Sequence, residues 1–460
     1  MSDISISSRL AEWAAGVPPI DDSRSMAIAR GAFSDTIACM FGGMTSDGVR
    51  RLIQVTRNWD NGGKNTVFGT RHRFSPPWAA LINGTAAHAL DFDDNFIPAF
   101  THASAVLVPA LLALGESCNC TGKALLDAYV VGAELHTRIG LLVNPGHFKN
   151  GWHATATVGT IGTAGACARL LGLDSEGISA AMSIGFSLAA GSKKQFGTMM
   201  KPIHAGLAAQ HAVMAASMAA AGINAAVDFL TGELSFQAHY AEPDLSREKC
   251  ALDGLGQELC LSTYGLLVKR FPCCGSAHKT LDGFLHLREA HQLHPKRIKR
   301  AITWLPETMS RNLRFDRPRN ENEARFSLHY NAARILLEGA LSLQHFAGTA
   351  VAEPAVTRFL DRIQCETIPD PDTLTLSTPL LSRVELDDGS AYETAVDHVR
   401  GSAQNPLSPT DMAFKFRDCI QLAGIENIPE RLFGQISSID TCGPIQQLMD
   451  PIARLMPETE

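Results

Sequence analysis

Between Trp78 and Gly222 the chain consists largely of alanine, glycine and medium-sized apolar residues, broken at intervals by turn signals. No other stretch constrains the fold as tightly. Runs such as Ala79-Ala-Leu-Ile-Asn-Gly-Thr-Ala-Ala-His-Ala-Leu90 lack the alternation of a strand, and side chains this small favour helices packed closely together. Ser75-Pro76 supplies a helix start, a capping hydroxyl followed by proline at the first helical position. Further helices are expected over Ala103 to Glu116, Gly122 to Leu142, Thr155 to Leu171, Asp174 to Ala190 and Gly206 to Gly222. Two precede them: one carrying Ile6, Leu10, Trp13 and Ala14, stopped by Gly16 and Pro18-Pro19, and one from about Asp22 to Phe41.

Composition changes near Leu266. Ala301 to Leu305 is a short apolar run of strand type, and Val384 to Val396 reads as a hairpin around an Asp388-Gly389 turn. A helix from about Ala324 to Leu343 lies between them. Pro369 to Pro379 is a loop, Gly401 to Pro406 a linker, and Ser408-Pro409-Thr410-Asp411 opens a last helix, Met412 to Leu422. The order is helical, then α+β, then helical again.

Several function classes drop out. The net charge of −7 comes with no basic cluster, which argues against nucleic-acid binding. The first residues lack a secretory signal pattern, and no uninterrupted apolar run approaches the ~18 residues of a membrane span. Eleven scattered cysteines suit reduced thiols in a cytoplasm. No Cys-x-x-Cys pair completes a zinc site, Cys118-x-Cys120 is isolated, and adjacent Cys273-Cys274 would chelate one ion poorly. Gly159 to Gly165 has neither phosphate-loop spacing nor a strand before it, so it reads as a helix-packing surface. No Gly-x-Ser-x-Gly elbow is present.

Reactive side chains gather at helix breaks. His88 to Ser104 carries Asp91, Asp93, Asp94, His88 and His102; His88 and Asp91, three apart, share a face if the helix continues that far. Gly151-Trp-His153 sets an imidazole before a helix, where the dipole depresses its pKa. Lys201-Pro-Ile-His204, Phe271-Pro-Cys-Cys-Gly-Ser-Ala-His278 and Arg325-Phe-Ser-Leu-His-Tyr330 are comparable. Each histidine also admits a reading as a cap or a satisfied core group, and each lysine as a solvated charge. Taken together, they suit proton movement on an anionic substrate without metal or nucleotide.

These motifs, in order along nearly the whole chain, resemble the MmgE/PrpD family of 2-methylcitrate dehydratases, cis-aconitate decarboxylases and iminodisuccinate epimerases. The matching stretches are Asn83 to Asp94, Thr101 to Ser104, Gly151 to His153, Lys201 to Gly206, Phe271 to Cys274 with His278, and Phe326-Ser327 with Tyr330. The resemblance implies a mainly α fold. Its large all-helical domain is built from both chain ends (1-265 and 405-460), and a smaller α+β domain (266-404) is inserted between them. It further implies a homodimer, an active site at the domain interface, and neither metal nor organic cofactor. Functional positions of the decarboxylase branch correspond to Asp91, Asn95, His102, His153, Lys201, His278 and Tyr330. That branch has threonine at the place of Asn95 and a loop one residue shorter before Thr101-His102. The epimerase branch shares a run like Phe196 to Pro202 but lacks the tyrosine.

On this basis Lys201, His153 and His278 are expected to hold a di- or tricarboxylate, with Asn95 and His204 also binding substrate. His102 exchanges a proton at carbon, Asp91 orients an imidazole, and Tyr330 delivers a second proton, while Asp93 and Asp94 are structural or capping. The expected activity is that of a lyase, decarboxylase or dehydratase. The alternatives are an epimerase and a non-catalytic polycarboxylate-binding homologue.

Overall fold

The computed structural model describes residues 5–60, 62–371, 378–425, 428 and 430–455. Small residues set the distances between its helices. A Cβ on Gly206 would stand 2.2 Å from the carbonyl oxygen of Leu81, and one on Gly43 would stand 1.9 Å from that of Ala86. Only glycine allows such approaches, so helix Pro76–Ala89 is clamped between Ser23–Gly43 and Met200–Ala220. The Gly159 to Gly165 run lies in helix Val158–Leu170, where a Cβ on Gly162 would meet the His136 ring at 2.4 Å. It is a packing seam, as its composition indicates.

Helices make up 58% of the chain, and the fold is mainly α. Buried apolar side chains form two clusters. The larger draws on Ile6 to Leu266, on Leu343, and on Phe416 to Ile452; the smaller draws on Phe271 to Leu386 together with Phe196. In the smaller part, strands run in the order Ile363–Ile368, Ile298–Pro306, Leu380–Leu386, Ala391–Val396, with the first pair parallel and the others antiparallel. Helices His278–Ala290 and Leu328–Glu338 pack on this sheet. The hairpin forms as the Asp388-Gly389 pair indicates, with Gly389 at φ 88°.

Some expectations need correction. Ser75 precedes Pro76 as expected, but its hydroxyl donates to Asp60 at 2.9 Å and does not cap the helix. Helix Pro76–Ala89 ends before Asp91, which takes a left-handed backbone (φ 49°), so His88 and Asp91 share no helical face. Lys201 and His204 sit inside the first turns of Met200–Ala220 and not ahead of it. The helix expected from Ala324 starts only at Leu328, capped by Ser327, and ends at Glu338 before Gly339. Most of the Pro369 to Pro379 loop lies outside the described residues. No helix of the described residues is long and apolar enough to cross a membrane.

Candidate active site

Three helix starts converge where the two cores meet. His102 is the N-cap of Ala103–Cys118, Lys201 the second residue of Met200–Ala220, and His278 the first residue of His278–Ala290. Their unsatisfied N–H groups bias the region toward anions. The acidic stretch folds back here: Phe96 and Thr101 exchange backbone hydrogen bonds (2.7 and 3.2 Å) around the turn Ile97–Ala99. Asn95 and Leu267 do the same at 2.9 Å each way, tying the stretch to the segment that enters the smaller part. Arg325 reinforces the junction, donating to the carbonyls of Leu90 (2.6 Å) and Pro272 (2.9 Å).

Two carboxylates organise the chemistry. Asp91 accepts from Lys201 (2.9 Å) and Lys269 (2.6 Å) at the same oxygen, Oδ1, while its backbone carbonyl also takes Lys269 at 2.9 Å. Burial would raise its pKa, but the two ammoniums outweigh this and hold it well below the usual carboxylate range. The lysines diverge. Burial lowers Lys201, whereas on Lys269 the nearby carboxylates overcome burial and raise it. Lys269 is thus the fixed charge and Lys201 the one closer to giving up a proton.

Asp93, expected to be structural, stands between two imidazoles: Nδ1 of His88 is 2.8 Å from Oδ2, and Nδ1 of His102 is 3.0 Å from the same oxygen. Asp93, and not Asp91, is therefore the carboxylate next to both rings, hydrogen-bonded to His88 and within ion-pair distance of His102. Burial opposes its ionisation, and the two histidines prevail. Burial pushes His102 down to about 3, which favours the neutral ring. A proton on Nδ1, the nitrogen nearest Asp93, would leave Nε2 as the basic nitrogen. Thr155 fixes the backbone, its hydroxyl accepting from His102 N at 3.0 Å. Ser104 donates to the Asp94 carboxyl, which burial lifts to about 7.

A cavity of about 200 Å³ opens beside these groups. Its lining includes Asp91, Asn95, His102, His153, Lys201 and Lys279. The other site residues from the sequence lie outside the lining. His204 stands behind His153, their Nδ1 atoms 3.2 Å apart. His278 donates from Nε2 to the carbonyl of Cys273 at 3.2 Å, and burial lowers it to about 3. Tyr330 is spent within the smaller core, its hydroxyl donating to the His345 carbonyl and accepting from Arg334 Nε at 3.1 Å. That geometry makes it a tie inside the core and leaves no hydroxyl for a second proton transfer.

The sequence reading missed Lys269 and Lys279. Lys269 is fully buried and its only local signal is its place in an apolar run, Leu266-Leu-Val-Lys269. Lys279 lines the cavity with its pKa lowered by burial to about 8. Lys201, Lys269 and Arg325 lie around the Asp91 carboxylate, and Lys279, its ammonium donating to the Thr378 carbonyl at 2.6 Å, adds a further cation to the cavity lining, an arrangement that favours a polyanion. His88, Asp91, Asp93 and His102 also place ligand atoms within 4.8 Å of one another. A divalent cation there would sit against the two ammoniums that already occupy Asp91 Oδ1, so the donor set fits a metal poorly.

Comparison with known proteins identifies the family. Residues 8–248 match the MmgE/PrpD N-terminal domain and residues 271–428 the MmgE/PrpD C-terminal domain. The cis-aconitate decarboxylase of Homo sapiens is 31% identical over 402 residues, covering 83% of this chain and 81% of the relative. The cis-aconitate decarboxylase of Mus musculus is 30% identical, covering 83% and 80%. A cis-aconitate decarboxylase-like protein of Aspergillus oryzae is 24% identical across 96% of both chains. With both halves of the family pattern present in order, the chain is an enzyme of the MmgE/PrpD family.

Proposed function

We propose that this chain is a metal-independent decarboxylase of a small tricarboxylate of the cis-aconitate type, acting by proton transfer at a carbon next to a carboxylate. The observation that carries the reading is that His102, Asp91 and Lys201 line one cavity, with Asp93 3.0 Å behind His102 and the buried Lys269 paired to Asp91. The cavity volume is below the roughly 300–1,000 Å³ of sites for drug-sized ligands, which suits a small acid.

Lys201 and Lys279 bind substrate carboxylates, with His153 and Asn95 completing the contacts. Breaking the carbon–carbon bond releases carbon dioxide and leaves its electron pair on carbon, spread into the neighbouring carboxylate. Preorganised positive charge from Lys201 and Lys269 lowers the energy of that state. The substrate's own negative charges raise the pKa of His102, so the ring takes a proton when substrate binds and returns it to carbon. One carbon dioxide leaves and one proton replaces it. The active assembly we propose is a cytoplasmic homodimer, which sedimentation of the purified protein tests.

NMR in D₂O with cis-aconitate, 2-methylcitrate and iminodisuccinate tests the reaction. Carbon dioxide release with one deuterium in the product is the expected result. Water exchange across an alkene would make the chain a dehydratase. Exchange at a stereocentre with an intact skeleton would make it an epimerase, the reading to which the Phe196 to Pro202 run points. Binding without turnover would leave a polycarboxylate-binding homologue.

A further inference from the structure

Three consecutive carbonyl oxygens follow the end of helix Pro76–Ala89, and each is taken by a buried cation from a distant part of the chain. Arg325 donates to Leu90 at 2.6 Å, Lys269 to Asp91 at 2.9 Å and Lys415 to Phe92 at 2.7 Å. Carbonyls at a helix C-terminus lack intrahelical partners, and the helix dipole favours cations there. Lys415 is the outlying member of the three: it lies outside the cavity lining, in the middle of helix Pro409–Leu422. Its three N–H groups are all engaged. Two face the oxygens of Asp35, on helix Ser23–Gly43, at 2.8 and 2.9 Å, and the third meets the Phe92 carbonyl. The same ammonium stands 4.4 Å from the centre of the Phe92 ring.

Taking two charges out of water costs about as much as their attraction returns, so the Asp35–Lys415 pair adds little stability that apolar residues would not. What it supplies is a donor fixed beside the turn. The Phe92 oxygen belongs to the planar peptide unit that leads into Asp93, so holding that oxygen sets the direction in which the Asp93 backbone continues. Phe92 separates two carboxylates with different duties. Asp91 is held by Lys201 and Lys269, while Asp93 Oδ2 lies 2.8 Å from His88 and 3.0 Å from His102. Lys269 already secures the Asp91 side of the turn, which leaves the Asp93 side to Lys415.

We propose that Lys415 is a positioning residue for the reaction: anchored by Asp35, it fixes the Phe92–Asp93 peptide and so keeps the Asp93 carboxylate against the His102 ring. The inference rests on the reading of His102 as the proton-transfer group. Lys201 and Lys279, which hold the substrate carboxylates, depend on other partners, Asp91 and the Thr378 carbonyl. Displacing Asp93 should therefore lower kcat and leave KM nearly unchanged. A misplacement of about 1 Å costs up to ~10²-fold in rate, which sets the size of the effect.

The test compares three variants of the full-length protein. Lys415→Met removes the donor and strands the Asp35 carboxylate; the double variant Asp35→Asn/Lys415→Met removes the donor and leaves no buried charge of that pair behind. Both should lose roughly 10- to 100-fold in kcat, with KM changed less than about three-fold, although the double should regain urea stability. Arg138→Met breaks a similarly buried pair with Glu134 (2.8 Å) outside the cavity lining, and it should lose stability while keeping wild-type kcat. Turnover is read with whichever of cis-aconitate, 2-methylcitrate and iminodisuccinate the wild type consumes. Hydrogen–deuterium exchange of the substrate-free proteins adds a readout independent of the reaction: amides from Phe92 to Phe96 should exchange roughly ten-fold faster in both Lys415 variants and at the wild-type rate in Arg138→Met. Wild-type kcat in the double variant would overturn the proposal, as would unchanged exchange there. A wild type that consumed none of the three acids would instead overturn the assigned reaction, and the exchange rates would still decide whether Lys415 holds the turn.

Discussion

Lys269 holds Asp91 at two points, its ammonium 2.6 Å from Oδ1 and 2.9 Å from the backbone carbonyl oxygen. The second contact matters because Asp91 is left-handed at φ 49°, a conformation that aspartate tolerates but that needs support. Lys269→Met removes both contacts and leaves a buried carboxylate with one partner. Breaking a buried pair in this way costs ~3–5 kcal/mol. Denaturant unfolding should show that loss, together with a collapse of turnover. Asp91→Asn in the same chain should recover part of the stability, because it removes the uncompensated charge, without recovering activity. Losses that simply add in the double variant would mean that the two residues are not coupled.

His102 and Asp93 make a second pair with a different expected signature. A well-placed acid or base contributes ~10²–10⁴ in rate, so His102→Ala should lose that much in kcat while its far-UV circular dichroism stays native. Asp93→Asn should also slow turnover, because an amide can present its NH₂ to Nδ1 and so move the ring proton to Nε2. Adding imidazole to His102→Ala should restore part of its turnover, and should do nothing for Asp93→Asn. Near-wild-type kcat in His102→Ala would remove that ring from the mechanism.

How much of this could be read from the chain differs between fold and site. The helices were legible because alanine and glycine mark close packing, and Gly206 against Leu81 shows that packing directly. The edge strand Ile363–Ile368 was not. Only Ile363 is buried, its later residues face solvent, and the apolar pattern that signals a strand is absent. In the site, His102, His153 and Lys201 stood out beside helix breaks. The partner of His102 was misassigned because spacing on a continuing helix favoured Asp91 beside His88, whereas the helix stops at Ala89 and the turn delivers Asp93. Lys269 stayed hidden because a lysine is ordinarily solvated, and only tertiary contact across 178 positions of sequence explains its burial.

The cluster of His88, Asp91, Asp93 and His102 makes a direct prediction about metals. Because Lys201 and Lys269 already neutralise Asp91, prolonged dialysis against a chelator should leave turnover unchanged, and elemental analysis of active protein should find less than a tenth of an equivalent (roughly) of any transition metal. Activity that disappears on dialysis and returns with one added divalent ion would reverse this assignment.

Acid stability follows from the buried imidazoles. His102, His136, His147 and His278 are each pushed down to about 3, in every case chiefly by burial. In the unfolded chain each takes up a proton near ~6.5. Between those values the unfolded state binds more protons, so stability rises with pH; it is fully present above about 6.5 and drains away as pH falls toward 3. Urea midpoints should therefore decline from pH 7 to pH 5. His136 offers a clean test, because it lies outside the cavity lining, with Nε2 3.0 Å from the Thr163 hydroxyl. In His136→Gln the decline should be shallower by up to about one bound proton, since the amide keeps a hydrogen-bonding group near Thr163 but cannot titrate. Parallel declines in wild type and variant would show that His136 is already protonated, or titrates normally, in the folded protein.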